Sequence, residues 1–109
     1  MKNYDQIKTR LLKEQSSQCW VCKLPLTDGH IHHAIISRDK RFADYLDQPE
    51  NLIIVCPRCH GDHGKLSNWE MRCRVYSWKI DRGYDVDSWL ASLPFRVKDR
   101  FVSAPKEER

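Results

Sequence analysis

Apolar positions along this chain change their period several times, and each change marks an element. Tyr4, Ile7 and Leu11 fall on one face of an α-helix, so the spacing predicts an amphipathic helix from about Tyr4 to Glu14, with Asn3 and Gln6 placed as a cap pair. The polar run "QSSQ" ends it. A Cys-x-x-Cys step then leads into Pro- and Gly-marked turns in "CWVCKLPLTDG", after which "HIHHAII" has the β-branched content of a strand. Residues 37–50 are polar and irregular and read as a loop with a helical turn in "FADYL", and "NLIIVC" predicts a second short strand. Pro57 suits the first turn of a helix that Gly61 and Gly64 keep short. Ser67 and Glu70 form a capping box for a longer helix running to about Arg82, where Gly83 closes it. A last helix spans roughly Val86 to Ser92, between the cap Asp85 and the terminator Pro94.

Two strands and several helices in 109 residues predict one small α+β domain. Its parts are an N-terminal helix in 1–18, a Cys- and His-rich strand pair with a short helix in 19–64, helical support in 65–102 and a flexible tail in 103–109. The composition, 40% hydrophobic and 31% charged, is that of a globular chain. A core of this size gives only marginal stability, so another staple would help. No apolar run approaches the roughly 20 residues of a membrane span, and "MKNYDQIKTR" is too polar for a secretory signal. A cytoplasmic protein is therefore expected.

In such a reducing compartment, paired cysteines serve as metal ligands more often than as disulfides. Cys19 and Cys22 form one Cys-x-x-Cys knuckle and Cys56 and Cys59 a second, with 33 residues between them. Each knuckle turns two sulfurs toward a common point, so the two together can give four thiolates to one tetrahedral zinc. Closing so long a loop with a metal removes unfolded-state entropy and turns binding free energy into folding free energy. Redox chemistry fits a single Cys-x-x-Cys better than two copies around a strand pair. Cys73, at helical spacing from Trp69 and Tyr76, reads as a buried small apolar residue. Trp69, Trp78, Trp89 and Leu90 read as core that buttresses the Cys/His region.

The net charge of +4 is unevenly spread. Residues 1–18 carry four Lys/Arg against two acids and residues 65–109 ten against seven, whereas residues 19–64 carry five against six. Basic flanks around a central site whose positive charge comes from a metal would suit a polyanion; ordinary solvated lysine gives the same count. Arg72, Arg74, Lys79 and Arg82, expected on exposed helix faces, would supply backbone affinity that falls with salt.

All five histidines lie between His30 and His63. Adjacent strand side chains point to opposite faces, so His32 and His33 should not share an ion: one could hold a metal while the other acts on something beside it. His30 shares the face of His32 and could also ligate, or contact phosphate, or serve structure alone. His60 and His63 stand about one helical turn apart. Imidazole is both a good ligand and a good base near neutral pH. Arg38 and Arg41, in the loop after His33, could clamp phosphates through bidentate guanidinium contacts, or be solvated loop charges.

The paired His32 and His33 ending a strand, the polar loop, and "ENLIIVCPRCH" with Cys knuckles before and after resemble the HNH endonucleases of the ββα-metal (His-Me finger) superfamily, over about Cys19 to Gly64. The resemblance implies a ββα-metal core carrying a four-cysteine structural zinc (Zn2+), flanked by the N-terminal helix and two C-terminal helices. It makes His33, Asn51 and His60 the motif letters. His32 and His60 would hold the catalytic divalent ion, His33 would be the general base, and Asn51 would brace the loop that carries it. In the colicin-like branch a third metal histidine stands four residues after the position of His60. That position here is Gly64, and His63, one residue early, could ligate or face phosphate or solvent. The implied activity is one-metal hydrolysis of DNA phosphodiester bonds leaving 5′-phosphate and 3′-hydroxyl ends, in a bacterial or phage-infected cell. Mg2+ is the implied cellular ion, although an all-imidazole site would bind Mn2+, Ni2+ or Zn2+ more tightly. DNA is the implied partner, and the protein could be a monomer or a homodimer. The alternative is a non-catalytic zinc-containing nucleic-acid-binding module on the same scaffold, which leaves His33 without a purpose; a structural zinc ribbon for protein contacts is the other.

Overall fold

The computed structural model of the protein describes residues 4–62, 64 and 66–96. Asn3, His63, residues 97–102 and the tail 103–109 lie outside the described residues. The fold is α+β, built on a two-stranded antiparallel sheet of β1 (His30–His33) and β2 (Leu52–Val55). Its register pairs His30 with Val55, Ile31 with Ile54, His32 with Ile53 and His33 with Leu52. Helix α1 (Tyr4–Glu14) covers one face, where Leu11 packs with Leu52, Ile54 and Ile31. Ile53 and Val55 point the other way, into the larger core with Ile35, Ile36, Val75 and Val86. Every β2 residue is buried, which explains why its sequence is a continuous apolar run and not an alternation.

Two features of the sheet were invisible in the pattern. Pairing in β1 stops at His33, earlier than "HIHHAII" suggests, because the next backbone groups find other partners. Ala34 N–H donates to the Asn51 carbonyl (2.8 Å), and the N–H groups of Ile35 and Ile36 donate to the Asn51 side chain. On the far edge of β2 the buried Gln15 acts as a surrogate strand: its amide accepts from Ile54 N–H and donates to Ile54 O, both at 2.8 Å. An edge that would otherwise present unpaired groups is thereby sealed. Gly29, just before β1, permits the close approach of the chains, since a Cβ there would stand 2.8 Å from Ile54 Cγ2 and from Val55 O.

The loop between the strands holds a 3₁₀ turn (Lys40–Phe42) and the one-turn helix α2 (Ala43–Leu46). Helix α3 (Pro57–Asp62) leaves β2 through Cys56. Helix α4 (Asn68–Asp81) starts in the expected Ser67/Glu70 capping box, and α5 (Val86–Ala91) is capped by Asp85. The buried stripe of α4 is Met71, Val75 and Lys79, at successive intervals of four. That stripe corrects two expectations. Lys79 is fully buried, not solvated, because it occupies the third position of the stripe. Cys73 is exposed, not buried, because it lies two residues off it, on the opposite side of the helix. Trp89 is buried and donates its indole N–H to Tyr45 O (2.8 Å), tying α5 to the loop, while Trp78 and Leu90 pack on the core from its margin. Trp69 is half-buried and lines a cleft with Arg72, Cys73, Tyr76 and Leu90.

Candidate active site

The first knuckle bends back on itself through two backbone hydrogen bonds, Lys23 N–H to Cys19 O (2.9 Å) and Cys19 N–H to Leu24 O (2.8 Å), with Lys23 in the left-handed region at φ 66°. The second knuckle straddles the junction of β2 and α3. Because Trp20 N–H donates to Ile54 O (3.1 Å), the first knuckle is docked against the strand that delivers the second. The Sγ atoms of Cys19, Cys22, Cys56 and Cys59 all lie within 4.8 Å of one another, and Cys22 and Cys56 stand 3.9 Å apart. A tetrahedron of sulfurs at about 2.3 Å from zinc has edges of about 3.8 Å, so the donor set and its spacing fit that ion. Electrostatics agree. Burial opposes ionisation of Cys19, but backbone N–H groups of Cys22, Cys56 and Val21 prevail and bring its thiol down to about 7. Burial pushes the Cys59 thiol up to about 12, helped by the thiols around it. Four thiolates this close need the countercharge that a divalent cation supplies.

Cys59 and His60 are neighbours on α3, and the helix turns them to different tasks: Cys59 is buried with the sulfurs, while His60 is exposed toward β1. There its ring meets two imidazoles edge-on, His30 at 5.1 Å and His32 at 5.4 Å between centroids. His30 Nδ1 and His60 Nδ1 are 3.2 Å apart. The strand alternation thus brings His30 and His32 to one face, opposite α3. Imidazole nitrogens are donors of the kind a borderline divalent cation takes, while the ligand atoms that converge to metal-binding distance among the described residues are the four cysteine sulfurs. His63, a candidate third ligand by sequence, lies outside the described residues.

His33 projects from the other face of β1. Its Nε2 is 2.6 Å from Asp47 Oδ1, and both side chains are nearly buried, at 9% and 11% exposure. Asn51, which follows the loop carrying Asp47, is wholly buried. Its Oδ1 accepts from Ile35 N–H (2.9 Å) and Ile36 N–H (2.8 Å), and its Nδ2 donates to Ile36 O (2.9 Å) and Leu46 O (3.0 Å). One side chain therefore locks the segment after His33 to the segment before Asp47.

His30, His32, His33 and His60 share the wall of one open cleft of about 550 Å³, completed by Tyr4, Ile31, Ser37 and Arg38. Arg38 thus stands beside the imidazoles. Arg41 points its guanidinium to Asp39, with Nε–Oδ1 at 3.2 Å and Nη2–Oδ2 at 2.9 Å. Sequence reasoning had not singled out Asp47, Tyr4 or Ser37 for the site. Nothing local distinguishes Asp47 from Asp39 or Asp44 in the same polar loop, and Tyr4 reaches the cleft only through the docking of α1.

Residues 19–66 match the family model described as HNH endonuclease. No curated protein and no solved structure matches the chain. The matched segment contains both Cys knuckles, both strands, the intervening loop and α3, so the motif and the observed ββα architecture coincide. With its sulfur cluster and paired strand histidines in that order, the segment 19–66 is similar to the HNH endonuclease family, a likeness that suggests a nuclease or nucleic-acid-binding role.

Proposed function

We propose that the protein is a metal-dependent DNA endonuclease that hydrolyses phosphodiester bonds with His33 as general base, leaving 5′-phosphate and 3′-hydroxyl ends. The observation that carries this reading is the division of the histidines: three imidazoles cluster on one side of β1, while His33 stands apart on the other with Nε2 held by Asp47 and still lines the same cleft. In its neutral form an imidazole bonded through one nitrogen has the other free to accept a proton. His33 takes that proton from a water, the resulting hydroxide oxygen forms the new bond to phosphorus as the P–O3′ bond opposite it breaks, and the departing 3′ oxygen takes a proton from solvent water to become the hydroxyl end. Arg38, at the rim, binds a phosphate oxygen through its guanidinium. His32 and His60 would hold a divalent cation, Mg2+ or a softer ion such as Mn2+, Ni2+ or Zn2+, which would supply positive charge against the negative charge that builds on the phosphate. His30, at 3.2 Å from His60, is placed to support that ligand or join it. The four cysteines would hold a zinc that closes the scaffold, outside the chemistry at the histidines.

The scaffold serves the base by rigidity. Asn51 ties the segment just after His33 to the segment just before Asp47 through buried backbone, so the ring of His33 has little freedom to drift from a reacting phosphate. Arg74 and Arg82, exposed on and just after α4, add nonspecific affinity for the DNA backbone. Supercoiled plasmid incubated with the zinc-loaded protein and Mg2+ or Mn2+ is expected to be nicked or linearised. His33→Ala should lower the rate by about 10² to 10⁴ without loss of zinc. Equal cleavage by the variant would remove His33 from the role of base. DNA binding without cutting under every divalent ion would favour the non-catalytic module instead.

A further inference from the structure

We infer that Asp47 is the positioning residue of the base: its carboxylate fixes His33 in the tautomer that carries its proton on Nε2 and its lone pair on Nδ1. The inference rests on the nuclease reading for its consequence, but on geometry for its substance. Asp47 Oδ1 lies 2.6 Å from His33 Nε2, a distance that requires a proton between them, and an ionised carboxylate can only accept. The proton therefore belongs to Nε2. Without such a partner the two neutral tautomers of an imidazole interconvert freely, and in one of them the nitrogen needed to receive a proton is already occupied.

The surroundings hold Asp47 as firmly as it holds His33. Its own N–H donates to Ala43 O (2.8 Å), closing α2, and the carbonyl of the preceding residue, Leu46, accepts from Asn51 Nδ2 (3.0 Å). Asn51 also binds the backbone of Ile35 and Ile36, two and three residues beyond His33. The loop of residues 37–50 is thus folded back so that an acid far along the chain meets the strand-end imidazole, with Asn51 setting the distance between them. When His33 accepts a proton on Nδ1, the positive charge that develops faces a carboxylate already in contact, so no group has to move to stabilise it.

The test uses the zinc-loaded protein with ¹⁵N-labelled histidine at mildly alkaline pH. Long-range ¹H–¹⁵N spectra should show a pyrrole-type nitrogen at Nε2 of His33 and a pyridine-type nitrogen at Nδ1. Asp47→Asn, which can donate as well as accept, should mix the two tautomers. The reverse tautomer in the unmutated protein, a doubly protonated ring, or an unchanged spectrum in Asp47→Asn would overturn the inference. In the cleavage assay Asp47→Asn should lower kcat by about 10² with KM and zinc content unchanged; a loss confined to KM would equally overturn it. A protein that shows the expected tautomer yet never cuts DNA would refute the nuclease reading and leave the Asp47–His33 assignment standing.

Discussion

Replacing Asn51 by alanine should remove the most consequential single side chain outside the sulfur cluster. Its four hydrogen bonds, to Ile35 N–H, Ile36 N–H, Ile36 O and Leu46 O, are all made in the interior. A typical buried hydrogen bond contributes a net of about 1 kcal/mol, and orphaning the buried partner costs about 1–3 kcal/mol. Four such losses, partly relieved by water entering the vacated volume, give a destabilisation of about 4 kcal/mol. Since a domain's total stability is about 5–15 kcal/mol, Asn51→Ala should stand near the edge of folding. Asn51→Asp isolates the donor half: it still accepts from the two N–H groups, but it sets a carboxylate against the carbonyls of Ile36 and Leu46. Urea unfolding of the zinc-loaded variants should show lower midpoints at an unchanged slope, and the amides of Ile35 and Ile36 should lose hydrogen-exchange protection before the strand pair does. A loss below about 1 kcal/mol in Asn51→Ala would mean that these bonds do not hold the loop, and the account of how the base is braced would fail with it.

Lys79 gives a prediction in pH. Burial, opposed by Glu14 and Glu50 and aided by Arg10 and Arg82, brings its ammonium down to about 8; Glu14 Oε1 stands 3.9 Å away, and the Tyr84 hydroxyl donates to the other oxygen of that carboxylate. An unfolded lysine titrates at about 10.4, so below about pH 8 both states are charged and the burial penalty is complete. As pH rises, the folded state loses its proton first and the penalty falls. Measured against Lys79→Met, the unmutated protein should gain about 2 kcal/mol between about pH 7 and about pH 9.5; parallel profiles would refute the shift. For the metal, structural zinc is worth about 10–16 kcal/mol in small domains, more than a fold of this size has to spare. Strong chelation, or Cys59→Ser, should therefore abolish near-ultraviolet dichroism and release about one zinc per chain; a zinc-free protein that keeps its tertiary signal would rule out the assignment.

What the sequence determined by itself was everything set by spacing over a few residues. Two Cys-x-x-Cys steps, an alternating "HIHH", an unbroken "LIIV" and the Ser67/Glu70 box each carry their geometry in their period, so α1, β2, α4, the four clustered sulfurs and the opposite-facing pair His32 and His33 were all legible. Tertiary structure alone decided which distant groups meet. Gln15 looked like a helix breaker and proved to be the edge of the sheet; Lys79 looked solvated and proved to be core; Asp47 was one acid among several in a loop until the chain folded back on His33. Local periodicity constrains the direction of a side chain relative to its own element. The partner at the end of that direction depends on how elements pack, which here is set by the burial of β2 from both sides and by Asn51 clamping the loop to the strand end.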